Sequence, residues 1–225
     1  MSAEARARRL RGLYAITPEE PDTRKLLDKV AAAIAGGAAA VQYRAKKLPE
    51  EIRLAQATRL AGICRAAGVP LIVNDSAELA RAAGADGIHL GRDDGEVAGA
   101  RRLVGRSLVG VSCYDEIERV RAAAAAGADY VAIGSVFASS TKPGAVRAPL
   151  ALLAEARRAS GLPVVAIGGI TTANAGEAIA AGADMVAVIS AVFDAHDVEA
   201  SARAISSLFS RIQGESDVRA QPRAV

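Results

Sequence analysis

Tryptophan is absent from this 225-residue chain, and aromatic residues together supply only 3% of it. So few rings leave little with which to stack on exposed bases, so a single-strand nucleic-acid surface is not expected. Cysteine is almost as scarce. Cys64 and Cys113 stand apart without CxxC or metal-ligand spacing, which argues against a disulfide scaffold or zinc module and fits reduced thiols. No apolar run approaches the roughly 20 residues that a bilayer crossing takes, and the first residues are charged rather than signal-like. A cytoplasmic protein with no membrane contact is therefore expected. Strong charge of either sign is also missing. The net charge is +3, and Arg6, Arg8, Arg9 and Arg11 near one end with Arg219 and Arg223 near the other account for the excess. No nucleic-acid partner follows from it.

What the chain has is apolar residues in alternating blocks, 51% hydrophobic overall, enough to bury a substantial core. Short β-prone runs begin at Leu13, Ala39, Pro70, Gly87, Leu108, Tyr130, Val164 and Met185. A helical or turn-rich segment follows each, the weakest being 95–104. The phrase Ala-Gly-Ala-Asp recurs at 83–86, 126–129 and 181–184, each time between a helix and a strand. Strand and helix alternate with no antiparallel hairpin signal, so a parallel sheet is expected. Eight units at this length fit one α/β domain, a closed (β/α)8 TIM barrel, better than an open doubly wound sheet, which would carry a glycine-rich fingerprint after its first strand. The expected boundaries are a flexible N-terminal arm over 1–11, the barrel over 12–213 and a flexible C-terminal tail over 214–225.

In a barrel the C-terminal strand ends share one rim, where chemistry is built. Leu71-Ile72-Val73 ends in Asn74-Asp75. Alone, Asp75-Ser76-Ala77-Glu78 reads as a capping box with Asp75 as the cap, as does Asp115-Glu116-Ile117-Glu118. On the rim, however, Asp75 and either Asp93 or Asp94 close the ends of neighbouring strands, and two carboxylates offering only oxygen suit Mg²⁺. Gln42, Arg44 and Lys46 share one face of an extended chain. The loop from Gly134 to Gly144 places Lys142 beside hydroxyls without a Walker order. Gly168-Gly169 and Ser190 stand where phosphate is commonly held. His89 reads as a hydrogen-bonded core residue within a strand, His196 as a loop residue. Cys113 has no histidine to activate it.

Val41-Gln42-Tyr43-Arg44-Ala45-Lys46, Ile72-Val73-Asn74-Asp75, Gly87-Ile88-His89-Leu90-Gly91, the Phe137 to Gly144 segment and Val165-Ala166-Ile167-Gly168-Gly169-Ile170 closely resemble thiamine phosphate synthases, from about Leu13 to Ile212. The resemblance implies a barrel transferase that joins 4-amino-5-hydroxymethyl-2-methylpyrimidine diphosphate to thiazole phosphate and releases pyrophosphate. It implies that Gln42, Arg44, Lys46, Asn74, Ser112 and Lys142 hold the pyrimidine diphosphate, with Arg44, Lys46, Lys142 and Ser112 as the catalytic set. Asp75 and Asp94 would hold Mg²⁺, and Ser139, Ser140, Thr141, Gly169, Ile189 and Ser190 the thiazole phosphate. Arg92 stands where the family usually shows glutamine, followed by Asp93 in place of glutamate, which leaves Asp93 and Asp94 as alternatives for the second metal ligand. A thiazole tautomerase-like relative and a non-catalytic phosphate-binding barrel are the competing readings. Tyr114 occupies the position where the tautomerase would carry histidine. Partners are expected to be small-molecule substrates, and homo-oligomer formation is compatible with the sequence.

Overall fold

A computed structural model describes residues 10–138, 144 and 146–220, with side chains to 212. Eight parallel strands close on themselves in chain order. They are β1 (Gly12–Ile16), β2 (Ala38–Tyr43), β3 (Leu71–Asn74), β4 (Gly87–Leu90), β5 (Leu108–Tyr114), β6 (Tyr130–Ile133), β7 (Val164–Ile167) and β8 (Met185–Val188). Around them run α1 (Thr23–Ala35), α2 (Glu50–Ala67), α3 (Ala77–Ala83), α4 (Val97–Val104), α5 (Ile117–Ala125), α6 (Ala151–Ser160), α7 (Ala175–Ala180), a one-turn α8 (Ser190–Phe193) and α9 (Val198–Ala220). The chain is a single-domain (β/α)8 barrel, and its strands begin within one residue of the expected positions. No helix among the described residues is long and apolar enough to cross a membrane.

Alternation along each strand sends its side chains in turn outward, beneath the helices, and inward, into the barrel. Leu13, Ala15, Val41, Tyr43 and Val164 point outward into the layer beneath the helices. Tyr14, Ile16, Ala40, Ile72, Tyr130, Val165 and Met185 fill the barrel itself. Gly110 is dictated by this interior packing, because a Cβ there would lie 2.0 Å from Cζ of Tyr130.

The recurring Ala-Gly-Ala-Asp phrase closes the N-terminal face. The carboxylates of Asp86, Asp129 and Asp184 accept from the backbone N–H of Leu71, Val109 and Val164, at 2.9, 2.9 and 2.8 Å. Each thus ties the start of one strand to the residue leading into the next. These acids serve stability at the end of the barrel remote from chemistry, and so are separated from Asp75 and Asp94.

Three local expectations are corrected. β2 stops at Tyr43, short of Lys46, because Thr17 and Glu19 capture the chain beyond it. The cap of α3 is Ser76, whose hydroxyl accepts from the N–H of Leu79 at 3.1 Å, so Asp75 is released from that duty. α5 starts after Glu116 without any side-chain cap hydrogen bond, so Asp115 opens no capping box. The weak segment at 95–104 does form a helix, α4, with the Arg101 guanidinium donating to the carbonyl of Gly105 at its end at 3.0 Å. Beyond the expected boundary at 213, α9 continues to Ala220, since no proline intervenes before Pro222.

Candidate active site

Two residues that follow β1 hold the cationic end of β2 in place. The buried Thr17 hydroxyl accepts from the N–H of Arg44 at 2.9 Å, and the Thr17 N–H donates to the carbonyl of Gln42. The carboxylate of Glu19 accepts from three successive backbone N–H groups, those of Lys46, Lys47 and Leu48, at 3.1, 2.7 and 3.1 Å. Partial burial alone would raise the Glu19 carboxyl, but these donors and the Arg44 charge hold it below the ordinary value. Ala45 packs outward against the helix layer, which leaves Arg44 and Lys46 on the rim side. Glu19 was not singled out from the sequence, where only its place just after a strand end would have marked it.

Lys46 reaches across to β3. Its Nζ lies 2.8 Å from a carboxylate oxygen of Asp75, which sits in the left-handed region at φ 67°. That conformation swings the side chain away from the helix that follows, at a cost that Asp tolerates better than most residues. The Asp94 carboxylate adjoins it. Burial pushes the Asp75 carboxyl up, the Lys46 ammonium opposes this, and Asp94 raises it further. Asp94 is itself oriented by the N–H of Gly91, 2.7 Å away, whereas Asp93 is exposed to solvent. Asp94 is thus the acid that faces Asp75.

The chemistry of this pair bears on a divalent cation. Two oxygen-only donors crowd together, and the Asp75 carboxyl is raised first by its burial, which Lys46 opposes, and further by the repelling Asp94 beside it. A bound Mg²⁺ would relieve that repulsion, and it ordinarily takes one or two carboxylates with water and phosphate oxygens completing its shell. The residues fit. Among the described residues no group of three or more His, Cys, Asp or Glu gathers in a metal-binding arrangement, so the pair would rely on such outside oxygens.

Within the barrel, below the rim, a polar chain crosses the otherwise apolar interior. Gln42 Nε2 donates to the Tyr14 hydroxyl at 2.9 Å, and the Tyr14 and Tyr130 hydroxyls lie 2.9 Å apart. The Tyr130 hydroxyl is 3.1 Å from His89 Nδ1, and His89 Nε2 is 2.9 Å from Ser112 Oγ. Burial pushes His89 down to about 4 despite the nearby Asp94 charge, so the imidazole is neutral near pH 7. His89 is the hydrogen-bonded core histidine that the sequence suggested. The two tyrosines were missed, although a tyrosine facing a barrel interior needs a partner for its hydroxyl. Arg119 was missed as well. Its guanidinium donates to the carbonyls of Ser112 at 2.7 Å and Gly91 at 3.0 Å, tying the ends of β4 and β5 together. Arg92 stacks over Tyr114 at 4.7 Å and pairs with Glu116. Both cysteines are buried, and burial lifts each thiol to about 12, which leaves them inert as nucleophiles.

On the opposite side of the mouth, Gly168 and Gly169 have φ of 101° and 64°. A Cβ at Gly169 would meet the Ala138 carbonyl oxygen at 2.1 Å. The chain after β6 lies against them, with Val136 and Phe137 donating to the carbonyls of Ile167 and Gly168. The double glycine therefore has a packing cause beside any role with an anion. Ile189 packs on the inner cluster at the barrel mouth, and Ser190 opens α8. Ser139, Ser140, Thr141 and Lys142 lie outside the described residues. Asn74, Asp75, Asp94, Ser112, Arg44 and Lys46 are brought to one side of a single rim, with Gln42 buried just beneath it.

A closed barrel with its polar residues gathered at the C-terminal ends of the strands belongs to the class of (β/α)8 enzymes acting on small molecules. A family profile described as thiamine monophosphate synthase matches residues 13–192. The chain belongs to that family, and is a transferase of thiamine biosynthesis. It is 58% identical over 199 residues to a thiamine-phosphate synthase of Thiobacillus denitrificans, covering 88% of this chain and 94% of that protein. With a thiamine-phosphate synthase of Aromatoleum aromaticum the identity is 55% over 202 residues, covering 89% and 97%. A solved thiamine phosphate pyrophosphorylase from Pyrococcus furiosus superposes with a TM-score of 0.83 at 32% identity, over 91% of this chain and 98% of that one. A 3-hexulose-6-phosphate synthase superposes with a TM-score of 0.66 at 19% identity, over 88% and 99%, and shares the fold.

Proposed function

We propose that the chain couples 4-amino-5-hydroxymethyl-2-methylpyrimidine diphosphate to thiazole phosphate, releasing pyrophosphate and giving thiamine phosphate. The observation that carries this reading is the meeting of Lys46 with Asp75, Asp94 adjoining, on the same rim as Arg44 and Ser112 and above the buried Gln42. A cationic arm facing paired acids suits a diphosphate and little else of that size.

Arg44 and Lys46, fixed by Thr17 and Glu19, bind the diphosphate oxygens and steady the charge that builds as the bond from the methylene carbon to oxygen breaks. Lys142 completes this cationic set. Mg²⁺ held by Asp75 and Asp94 would supply further charge neutralisation of the leaving group. Gln42, Asn74 and Ser112 orient the pyrimidine, whose ring donation supports the methylene cation. Ser139, Ser140, Thr141, Gly169, Ile189 and Ser190 place the thiazole phosphate so that the ring nitrogen captures that cation. The bond pair of the broken C–O bond leaves on pyrophosphate, and the nitrogen lone pair makes the new C–N bond. No protein nucleophile or strong base enters, and the rate comes from positioning and preorganised charge.

The test is pyrophosphate release from both substrates, with and without Mg²⁺. Release that needs both substrates and the metal is expected. Isomerisation of the thiazole without pyrophosphate would instead indicate a tautomerase, and ligand binding without turnover a phosphate-binding barrel.

A further inference from the structure

The polar chain inside the barrel contains more information than its four distances. Gln42 Nε2 is a donor only, so the Tyr14 oxygen must accept from it. Each tyrosine hydroxyl has one proton to give, a neutral imidazole one ring proton, and Ser112 one. Four hydrogen bonds link the five groups, and after they are made one hydroxyl proton is left over. If Tyr130 donated to Tyr14, the spare proton would sit on Tyr14. If Tyr14 and His89 both donated to Tyr130, it would sit on Tyr130. Both hydroxyls are sealed in the interior, where a donor without a partner is costly. An imidazolium would strand two protons rather than one. In one arrangement the spare proton reaches the surface. Tyr14 donates to Tyr130, Tyr130 donates to His89 Nδ1, and the Nε2–H of His89 donates to Ser112 Oγ. The unused proton then lies on Ser112, which is only partly buried and stands at the rim.

We propose that this buried chain fixes His89 as the Nε2–H tautomer and thereby makes Ser112 an obligate hydrogen-bond donor toward the bound substrate. His89, Tyr130 and Tyr14 are positioning residues, since they act through Ser112 and Gln42 at the two ends of the chain. A serine whose lone pair is already engaged by an imidazole N–H turns its proton toward an acceptor, which suits a diphosphate oxygen or a ring nitrogen. This proposal rests on the assignment of Ser112 to the substrate site.

The full-length, ¹⁵N-labelled protein answers the question directly. It has two histidines, and His196, which is exposed, is identified by its loss in His196→Gln. A long-range ¹H–¹⁵N spectrum at neutral pH is expected to show His89 with a protonated Nε2 and a bare Nδ1. A protonated Nδ1 would overturn the proposal without any variant being made. Tyr130→Phe, which keeps the ring volume, is expected to release His89 into a tautomer mixture. It should also raise KM for the pyrimidine diphosphate roughly tenfold, with Ser112→Ala and the double variant falling no further than the worse single. An unchanged tautomer in Tyr130→Phe, or additive losses in the double variant, would also overturn it. Failure of the wild type to release pyrophosphate strikes the functional assignment instead, and leaves the tautomer reading to be judged by the spectrum.

Discussion

Asp75 occupies a backbone position that few side chains accept, and its carboxylate is crowded by another. Nothing in the local chain requires that, because Ser76 already caps the helix. Unfavourable placement held by the surrounding fold is the mark of a functional group. Asp75→Ala is expected to lower turnover by roughly 10²-fold or more while far-UV circular dichroism stays that of the wild type. Asp75→Asn retains the tolerance for a positive φ and loses the charge, so steady-state assays should find it as impaired as the alanine variant. Activity near wild type in Asp75→Asn at saturating Mg²⁺ would remove the carboxylate from the mechanism. At Gly110 the constraint is steric. Gly110→Ala drives a methyl into the Tyr130 ring and is expected to cost about 1–3 kcal/mol, read from the urea midpoint, by overpacking the interior.

The loop after β2 takes its shape from one side chain on another element. Glu19 gathers three consecutive N–H groups, and without that clamp the segment carrying Lys46 has no ladder to hold it. Glu19→Gln is expected to lower kcat/KM by roughly 10–100-fold, chiefly through KM for the diphosphate, since misplacement of a positioned cation is costly. The clamp also predicts a pH dependence. The Glu19 carboxyl lies below its ordinary 4.5 in the folded protein, so on acidification the unfolded chain takes up its proton first. The stabilisation is complete above the unfolded value and is lost as pH falls through the lower folded one. The difference in urea midpoint between wild type and Glu19→Gln should therefore hold steady from about pH 8 to 5 and shrink only below 4.5. A difference that instead grows on acidification would contradict the assignment.

Closure of the whole barrel depends on its last helix. Val198, Ala202, Ile205 and Phe209 are buried against the outer core, with α9 lying on α1 and backing β1. Each large side chain contributes roughly 1.5–3 kcal/mol on burial, which together approaches the 5–15 kcal/mol that typically holds a domain of any kind folded. A chain ending at residue 197 is expected to be unfolded by circular dichroism. Removal of 214–225 should shift the thermal midpoint by no more than about 2 °C, because among the described side chains the core ends with Phe209 and Ile212. A large loss on that second truncation would extend the domain boundary past 213.

The barrel was legible because strand and helix periodicities differ and because each unit repeats its own punctuation, down to the Ala-Gly-Ala-Asp phrase. Gln42, Arg44, Lys46 and Asn74-Asp75 were legible for a related reason, as polar residues placed abruptly at the ends of apolar runs. Ser76 and Asp75 were not separable by pattern, since adjacent residues of capping type differ only in which backbone conformation each adopts. Glu19, Tyr14, Tyr130 and Arg119 went unread because their partners lie on other strands or beyond them.

By itself, then, the sequence determined the number and order of the β/α units, the rim on which the polar groups gather and the family to which the chain is similar. These follow from short-range periodicity and from motifs that survive as contiguous text. Only the tertiary structure decided that Asp94 rather than Asp93 faces Asp75, that Glu19 clamps the Lys46 segment, and that Gln42 and Ser112 are the two ends of one hydrogen-bonded chain. Each of these depends on distances of about 3 Å between residues far apart in the chain, and such contacts are set by barrel closure and register, which no local pattern records.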